Sequence, residues 1–420
     1  MERLSLGHLI ALTSPTLGLY LCISILDPAL IGNRLFAIEP RAEARAATFG
    51  ALTFAGLVVA SVTQPLIGSW SDRARSRWGR RLPFVIAGAC IAVGGLALVA
   101  SATSLLVLGL GVVTVQFGLN VALAGWQPLL AEGVNQEQRG TAASLRAGSE
   151  LLAASGGRLF AGEVIAAVGV LGVWAFAGLV ALPAAVLIVT LPLAAPLIVA
   201  RSSTKHADLP SARLSWRSLF EVNLRAHPAF GWWFLNRVCF WCGLIGSSAF
   251  LLFVGVDVLG LSESEAQRFV SRLIVLLGVA LAAVILPAGW LADRIGRQPI
   301  MIAAGILASS GAGLVLFNQQ AILPAALLIG AASGLYIASS LALLNDIVPR
   351  EETARYLGIA NVATAGSSAL ARLGGGALIS GVNALLQTRV EGYLALYAVA
   401  AVLFAVSALI VLKIKRNIMA

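Results

Sequence analysis

Two short stretches of the sequence repeat each other: residues 68–73 read GSWSDR, and residues 289–294 read GWLADR. Each stretch is followed by a second shared motif, which reads GRRLP at residues 79–83 and GRQP at residues 296–299. Rare charged residues that recur in the same order within apolar sequence indicate an internal duplication. The chain is therefore predicted to consist of two related halves.

A second register supports the duplication. Residues 129–132 (LLAE) correspond to residues 343–346 (LLND), and Arg158 corresponds to Arg372 at the same offset along the chain. Many transporters are built from two six-span halves that are related by an axis along the membrane normal. The shared offset predicts halves of this kind.

The composition places most of the chain in lipid. Of the 420 residues, 59% are hydrophobic and 11% are charged, whereas a soluble domain is about 25% charged. Residues 82–131 and 298–345 contain no charged side chain at all, and about 20 apolar residues are enough to span a bilayer as a helix. A polytopic helical membrane protein is predicted, which excludes secreted, fibrous, disordered and nucleic-acid-binding proteins.

The apolar stretches divide into twelve predicted spans. The spans are residues 9–33, 47–70, 83–102, 104–130, 147–169, 171–200, 229–256, 270–291, 299–318, 321–345, 357–381 and 392–412. Residues 1–200 form an N-terminal six-helix bundle, residues 201–228 a polar linker and residues 229–420 a C-terminal six-helix bundle. The first span has no small-residue cleavage site after it, which indicates a retained helix rather than a signal peptide.

The basic residues predict the orientation. Twenty Arg and Lys residues fall on the side of both termini and the linker, against six on the opposite side. Short cytoplasmic loops are enriched in these residues, so both termini are predicted to be cytoplasmic. Basic loops that face anionic lipid also account for the net charge of +10 without an acidic partner.

The sequence contains no motif that predicts a cofactor site, a metal site or an enzymatic activity. Cys239 and Cys242 form a C-x-x-C pair without the second ligand pair that a zinc site needs. Cys22 and Cys90 lie in apolar stretches, where thiols act as small hydrophobic groups. There is no nucleotide-binding loop and no arrangement of a nucleophile with a base.

The whole chain resembles the major facilitator superfamily, through its twelve spans, its long central loop and the two copies of the loop motif. Residues 64–68 (QPLIG), 71–73 (SDR) and 76–84 (SRWGRRLPF) are similar to the glycoside and sucrose cation-symporter branch. The resemblance implies an all-α fold of twelve transmembrane helices in two pseudo-symmetric six-helix bundles. It also implies transport of a sugar or glycoside with protons or sodium.

Two features depart from that branch. Gln127 stands where plant-type sucrose carriers have an arginine that is implicated in substrate binding. Melibiose-type members bind their cation through aspartates in the second and fourth spans, and neither predicted span contains an acidic residue in its interior. These departures favour a solute other than sucrose and a proton rather than sodium.

Ionisable residues inside the predicted spans are the candidates for transport chemistry. At a helix centre such residues cost roughly 2.5 to 3.5 kcal/mol and usually face a cavity or a partner. We expect Asp27 or Glu163 to pair with Arg158 in a central cavity, where protonation of the carboxylate releases the pair. Arg237 and Arg372 place positive charge in the second half, where they can hold an anionic or hydroxyl-rich ligand.

Two other interpretations of these residues remain open. The buried pair can be a static contact that fixes helix packing, and the two arginines can instead satisfy backbone carbonyls in broken helices.

In span four, Asn120, Trp126 and Gln127 are predicted to line the cavity, because sugars are recognised by amides and aromatic faces.

The duplicated loop motifs predict a cytoplasmic gate whose charges pair across the two halves when the carrier faces outward. Its members are Asp72, Arg73, Arg80, Arg81, Glu132, Arg139, Asp293, Arg294, Arg297 and Asp346. The alternative is that the arginines only fix the topology.

The sequence thus predicts a proton-coupled secondary transporter in the cell membrane, the inner membrane of a bacterium, that acts as a monomer on a small solute without nucleic acid. One alternative is an exporter, although residues 149–162 lack the G-x-x-x-G-P-x-x-G-G run of drug antiporters. The other is a membrane assembly or pigment-handling protein on the same scaffold.

Overall fold

A computed structural model describes residues 3–74, 76–168, 173–202, 228–348 and 353–414. Helices and short connections make up all of these residues, and none of them is in a strand. The predicted linker lies almost entirely outside the described residues, as does the side chain of Glu132.

Within the described residues of the first half of the sequence there are nine α-helices. They are α1 (Leu6–Thr13), α2 (Pro15–Ile25), α3 (Ile31–Ile38), α4 (Ala42–Arg73), α5 (Leu82–Ala100), α6 (Leu105–Trp126), α7 (Pro128–Glu132), α8 (Arg139–Val168) and α9 (Val173–Ser202). Helices α1 to α3 together form the first span, and α6 continues into α7.

The part of the second half that the structure describes contains seven α-helices. They are α10 (Pro228–Ala249), α11 (Leu251–Asp257), α12 (Glu263–Ile295), α13 (Arg297–Phe317), α14 (Ile322–Ile347), α15 (Thr353–Leu386) and α16 (Glu391–Val411). The described residues contain eleven helical segments that are long and apolar enough to cross a membrane, or twelve when the bent pair α10 and α11 counts as one span. The predicted all-α membrane class is confirmed.

The helices of spans two, five and eight begin earlier than predicted. Helix α8 begins at Arg139 rather than residue 147, and α12 begins at Glu263 rather than residue 270. In both helices the extra turns carry charged residues, which lowered the local hydropathy without ending the helix. Charged residues that the sequence placed at span ends therefore lie several turns along a continuous helix.

The first span of each half is interrupted. In the first half a single π-turn, Leu26–Leu30, separates α2 from α3, and Asp27 has non-helical backbone angles of φ −126° and ψ 124°. In the second half α10 and α11 meet at a bend of 44°. A proline explains the first break, because Pro28 has no N–H to donate and disfavours a helical conformation at the preceding residue.

The chain divides into two compact units. The first unit comprises Met1–Arg41, Leu52–Ala207 and Ser262–Ser271, and the second comprises Ala42–Ala51, Asp208–Leu261 and Arg272–Ala420. The first turns of α4 thus belong to the second unit, and the first turns of α12 belong to the first unit.

Small residues bring the helices of each unit close together. In the first unit, a Cβ added to Gly88 would overlap the backbone of Ala122 across the contact between α5 and α6. In the second unit, a Cβ added to Gly305 would come within 2.8 Å of the Cβ of Ala408. Close approach of this kind is how helices associate in lipid, where burial of apolar surface gives little net gain.

Candidate functional site

Arg237 is the centre of a polar cluster inside the second unit. It lies near the middle of α10 and is 7% exposed. Its Nε donates to the hydroxyl of Thr364 at 2.9 Å, and its Nη1 donates to the hydroxyl of Ser340 at 3.3 Å. The guanidinium also lies 5.3 Å from the ring centroid of Trp233 and 5.7 Å from that of Trp241. Hydroxyl dipoles and indole faces therefore surround this cation.

The residues around Arg237 are held by further hydrogen bonds. Tyr336 donates to the side-chain oxygen of Asn236 at 2.8 Å, and Asn236 donates to the backbone carbonyl of Ser407 at 2.8 Å. The ring of Phe240 stacks on Tyr336 with centroids 3.7 Å apart. The indole N–H of Trp233 donates to the carbonyl of Ser340 at 2.9 Å. Helix α10 is thereby fixed against α14 and α16.

A second cluster lies in the first unit and centres on Arg146 of α8. Its Nε donates to the carboxylate of Glu150 at 2.6 Å, and its Nη2 lies 3.5 Å from the hydroxyl of Tyr20. The guanidinium is 5.6 Å from the ring centroid of Trp126. Glu150 is not among the predicted site residues, because the predicted start of span five at residue 147 placed Arg146 and Glu150 at the membrane edge. Its i, i+4 spacing from Arg146 was the available signal.

Trp126, Asn120 and Gln127 lie in or next to α6, and each has a partner within the first unit. Trp126 is 0% exposed, and its indole N–H donates to the carbonyl of Leu12 at 2.8 Å. Asn120 donates to the carbonyl of Gln116 on its own helix at 2.8 Å. Gln127 accepts from the amide of Gln64 at 2.7 Å. Trp126 therefore packs span four against span one, and the predicted role of these residues in a cavity stays a prediction.

Asp27 and Arg158 lie on neighbouring elements of the first unit. Asp27 occupies the π-turn, and Ser24 in the preceding turn donates to the carbonyl of Ala153 at 2.8 Å. A Cβ added to Gly157 would overlap the hydroxyl oxygen of Ser24. Helix α8 thus crosses the first span just before its break, next to Arg158. The predicted pairing of Arg158 with Asp27 or Glu163 stays a prediction.

Glu163 forms an ion pair with Arg268 at the start of α12, with 3.4 Å between the carboxylate and Nε. The side chain of Glu163 is 54% exposed. Nearby, Asn33 donates to the side chain of Gln267 at 2.6 Å. These contacts lie within the first unit. They place Glu163 close to Arg268, which is not among the predicted partners of this carboxylate.

Arg372 lies on α15 where that helix meets the first turns of α4. A Cβ added to Gly50 would overlap the backbone oxygen of Arg372, and a Cβ added to Gly376 would overlap that of Ala46. This contact within the second unit has a counterpart in the first unit, where Gly162 packs on the first turns of α12. Gly162 occupies the same place after Arg158 as Gly376 does after Arg372.

In the first unit, the loop motif forms an ion pair between its aspartate and its arginine. Arg81 is 1% exposed, and its Nη2 lies 2.6 Å from the carboxylate of Asp72. Its Nη1 donates to the hydroxyl of Ser71 at 3.1 Å. The motif therefore joins the end of α4 to the start of α5.

The second copy of the motif uses two carboxylates. Nη1 of Arg297 lies 2.5 Å from Asp346, and Nη2 lies 3.9 Å from Asp293. Arg297 also donates to the carbonyl of Ala342. The side chain of Arg294 lies over the ring of Trp290 at 3.9 Å.

Three further members of the predicted gate, Arg73, Arg80 and Arg139, lie at or next to the ends of helices. Arg73 and Arg139 are exposed, and Arg80 is half-buried. The ion pairs described for Asp72, Asp293 and Asp346 each lie within one unit, and the predicted pairing across the two halves stays a prediction.

The comparison with protein families decides the identity of the fold. The family model described as Major Facilitator Superfamily matches residues 16–281 and 264–417. The chain belongs to this superfamily. The expected family and fold are confirmed, and the superfamily consists of multi-pass membrane transporters rather than enzymes.

Solved structures of superfamily transporters match nearly the whole chain at low sequence identity. A bacterial homologue of the human lysosomal transporter Spinster, in an inward-facing and unoccupied conformation, has a TM-score of 0.70 and 16% identity over 98% of each chain. The nucleoside transporter NupG has a TM-score of 0.70 and 14% identity over 97% of this chain and 98% of its own. A peptide transporter in complex with sulfate has a TM-score of 0.68 and 14% identity over 97% and 94%.

Among curated proteins, an uncharacterized symporter of Synechocystis sp. (strain ATCC 27184 / PCC 6803 / Kazusa) is 43% identical over 66 residues. The matched segment covers 14% of this chain and 12% of that symporter.

Proposed function

We propose that the chain is a secondary active transporter that moves a small polar solute, a sugar or glycoside, by proton-coupled alternating access. It acts as a monomer in the cell membrane, with both termini in the cytoplasm. The observation that carries this proposal is the interruption of the first span in each half, together with a polar cluster in each unit, at Arg146 and at Arg237. In transporters, substrate and ion sites are typically formed by discontinuous helices near the bilayer midplane.

The two interruptions occupy equivalent positions in the halves. The π-turn at Asp27 precedes Asp72 of the first loop motif by nearly the same length of chain as the bend at Phe250 precedes Asp293 of the second. Backbone that leaves helical geometry inside a membrane exposes polar groups, which is tolerated only where protein or a water-filled cavity satisfies them. Matched breaks in two halves therefore favour a solute site rather than two accidents of packing.

Proton coupling requires a carboxylate that changes its protonation state during the cycle. Asp27 at the helix break and Glu163 beside Arg268 are the two carboxylates that the sequence singled out, and Arg158 precedes Glu163 by five residues on α8. An acid held close to a cation resists protonation until the pair separates. A change of conformation that separates the pair would thus load the proton.

Alternating access supplies such a change. We take residues 1–200 and 229–420 as the moving halves, with the charged loop motifs closing the cytoplasmic side. Gly376 of α15 packs on the backbone of Ala46 in α4, and Gly162 of α8 packs on Ser271 of α12. Small residues at these contacts between the halves of the sequence would let the helices separate and pack again.

The test is transport by Asp27→Asn and Glu163→Gln in proteoliposomes. We expect the variant at the coupling carboxylate to lose uphill uptake driven by a pH gradient while it retains solute exchange at equilibrium. The other variant is the matched control, because it removes one charge from the same unit. Normal uphill uptake by both variants would reject these carboxylates as proton carriers.

A further inference from the structure

The buried charge of Arg237 has no anionic partner among the residues that the structure describes. Within the described ranges its polar and ring contacts are two hydroxyl groups and two indole rings, and no carboxylate of those ranges forms an ion pair with it. Its Nη2 donates to no acceptor in the described part of the chain. The indole N–H of Trp241 is likewise buried without an acceptor. As far as the structure describes the chain, one cluster therefore holds a cation without a counterion and a second donor that has no acceptor.

Other arginines in the chain show the contrast. Arg146 meets Glu150 at 2.6 Å, Arg81 meets Asp72 at 2.6 Å and Arg297 meets Asp346 at 2.5 Å. A buried ion is stable only when a partner of opposite charge or several hydrogen bonds replace its hydration. Two neutral hydroxyls and two ring faces replace only part of it, so the cluster around Arg237 is complete only when an anion joins it.

We propose that Arg237 and Trp241 form a subsite for an oxyanion, and that the transported sugar or glycoside carries an anionic group, as a sugar acid does. Thr364 and Ser340 hold the guanidinium in a fixed orientation. Its free edge can then donate to a carboxylate in the forked geometry that arginine favours. The indole N–H of Trp241 supplies a further donor, and the two rings exclude water from the charge.

This inference names the solute class of the proposed transporter and rests on that proposal. It also makes a prediction that does not require the solute to be known. Removal of a buried charge without a counterion removes a cost in the empty protein, whereas removal of Arg146 leaves the half-buried carboxylate of Glu150 without its cation. Arg237→Gln is therefore expected to melt at the same temperature as wild type or higher, and Arg146→Gln is expected to melt lower.

The experiment is a thermal-shift series on purified full-length protein in chloride buffer of constant ionic strength. The probes are acetate, gluconate, citrate and inorganic phosphate, with glucose and sucrose as neutral controls. We expect at least one anion to raise the melting temperature of wild type, because a ligand stabilises the state that binds it. Arg237→Gln should abolish that shift, and Arg237→Lys should reduce it because lysine lacks the fork.

The proposal requires both the unreduced stability of Arg237→Gln and its loss of the anion-dependent shift. A melting temperature that falls in Arg237→Gln as in Arg146→Gln, or the absence of any shift with the four anions, would overturn it. Stabilisation of wild type and Arg237→Gln by a neutral sugar alone would also reject the oxyanion subsite, while leaving the transporter proposal intact.

Discussion

The contact between α15 and the first turns of α4 gives the sharpest prediction for the second unit. In Gly376→Ala the new Cβ would lie closer than 3.0 Å to the backbone of Ala46, and backbone cannot move aside as a side chain can. Overpacking of this kind costs roughly 1 to 3 kcal/mol. Gly374→Ala is the matched control on the same helix, because a Cβ there meets nothing within 4 Å. Both variants gain about 1 kcal/mol of helix propensity, so their difference isolates the contact.

Hydrogen exchange of the amides of residues 42–51 measures this contact directly. A loss of about 1 to 3 kcal/mol in the packed state corresponds to exchange that is roughly 5 to 150 times faster. We expect this acceleration in Gly376→Ala and wild-type exchange in Gly374→Ala. Equal exchange rates in the two variants would refute the reasoning. They would mean that α15 and α4 do not touch, or that their separation costs no free energy.

Three further predictions concern the ion pairs. Glu150→Gln should lower the free energy of unfolding by about 1 to 3 kcal/mol, because it strips a half-buried guanidinium of its carboxylate; a denaturant titration checks this. Tyr20→Phe should cost less than about 0.5 kcal/mol in the same titration, because its hydrogen bond is 3.5 Å long. Asp72→Asn should lower the melting temperature more than Asp293→Asn does, because the arginine beside Asp293 keeps a second carboxylate at 2.5 Å. Equal shifts would contradict the last expectation.

Most of the fold follows from the sequence because charge is scarce in it. The long apolar stretches predicted the helices, and the repeated polar motifs predicted two related halves. The first residues of α8 and α12, Arg139 and Glu263, were not predicted from the apolar stretches. A helix continues beyond the lipid wherever its residues favour a helical conformation. The break at Asp27 precedes a proline, whereas the bend at Phe250 has no proline or glycine beside it. Instead, the hydroxyls of Ser247 and Ser248 donate to the carbonyl of Leu244 just before the bend, which is a contact that bends helices.

The candidate site was predictable only where it is charged. Arg237 was found because an ion inside an apolar stretch is rare, but Thr364 and Ser340 give no such signal among many small polar residues. Glu150 was not predicted because α8 begins at Arg139, eight residues before the predicted start of span five. Trp126 was expected to line a cavity, and nothing in its surroundings in sequence indicates that its indole N–H meets the carbonyl of Leu12.

The central claim, that solute and proton move together through this protein, is tested most directly with a pH-sensitive dye inside proteoliposomes. Addition of a solute that shifts the melting temperature should acidify the lumen of vesicles with wild-type protein, and protein-free vesicles should show no change. The claim would be contradicted if the labelled solute entered the wild-type vesicles while the internal pH stayed constant.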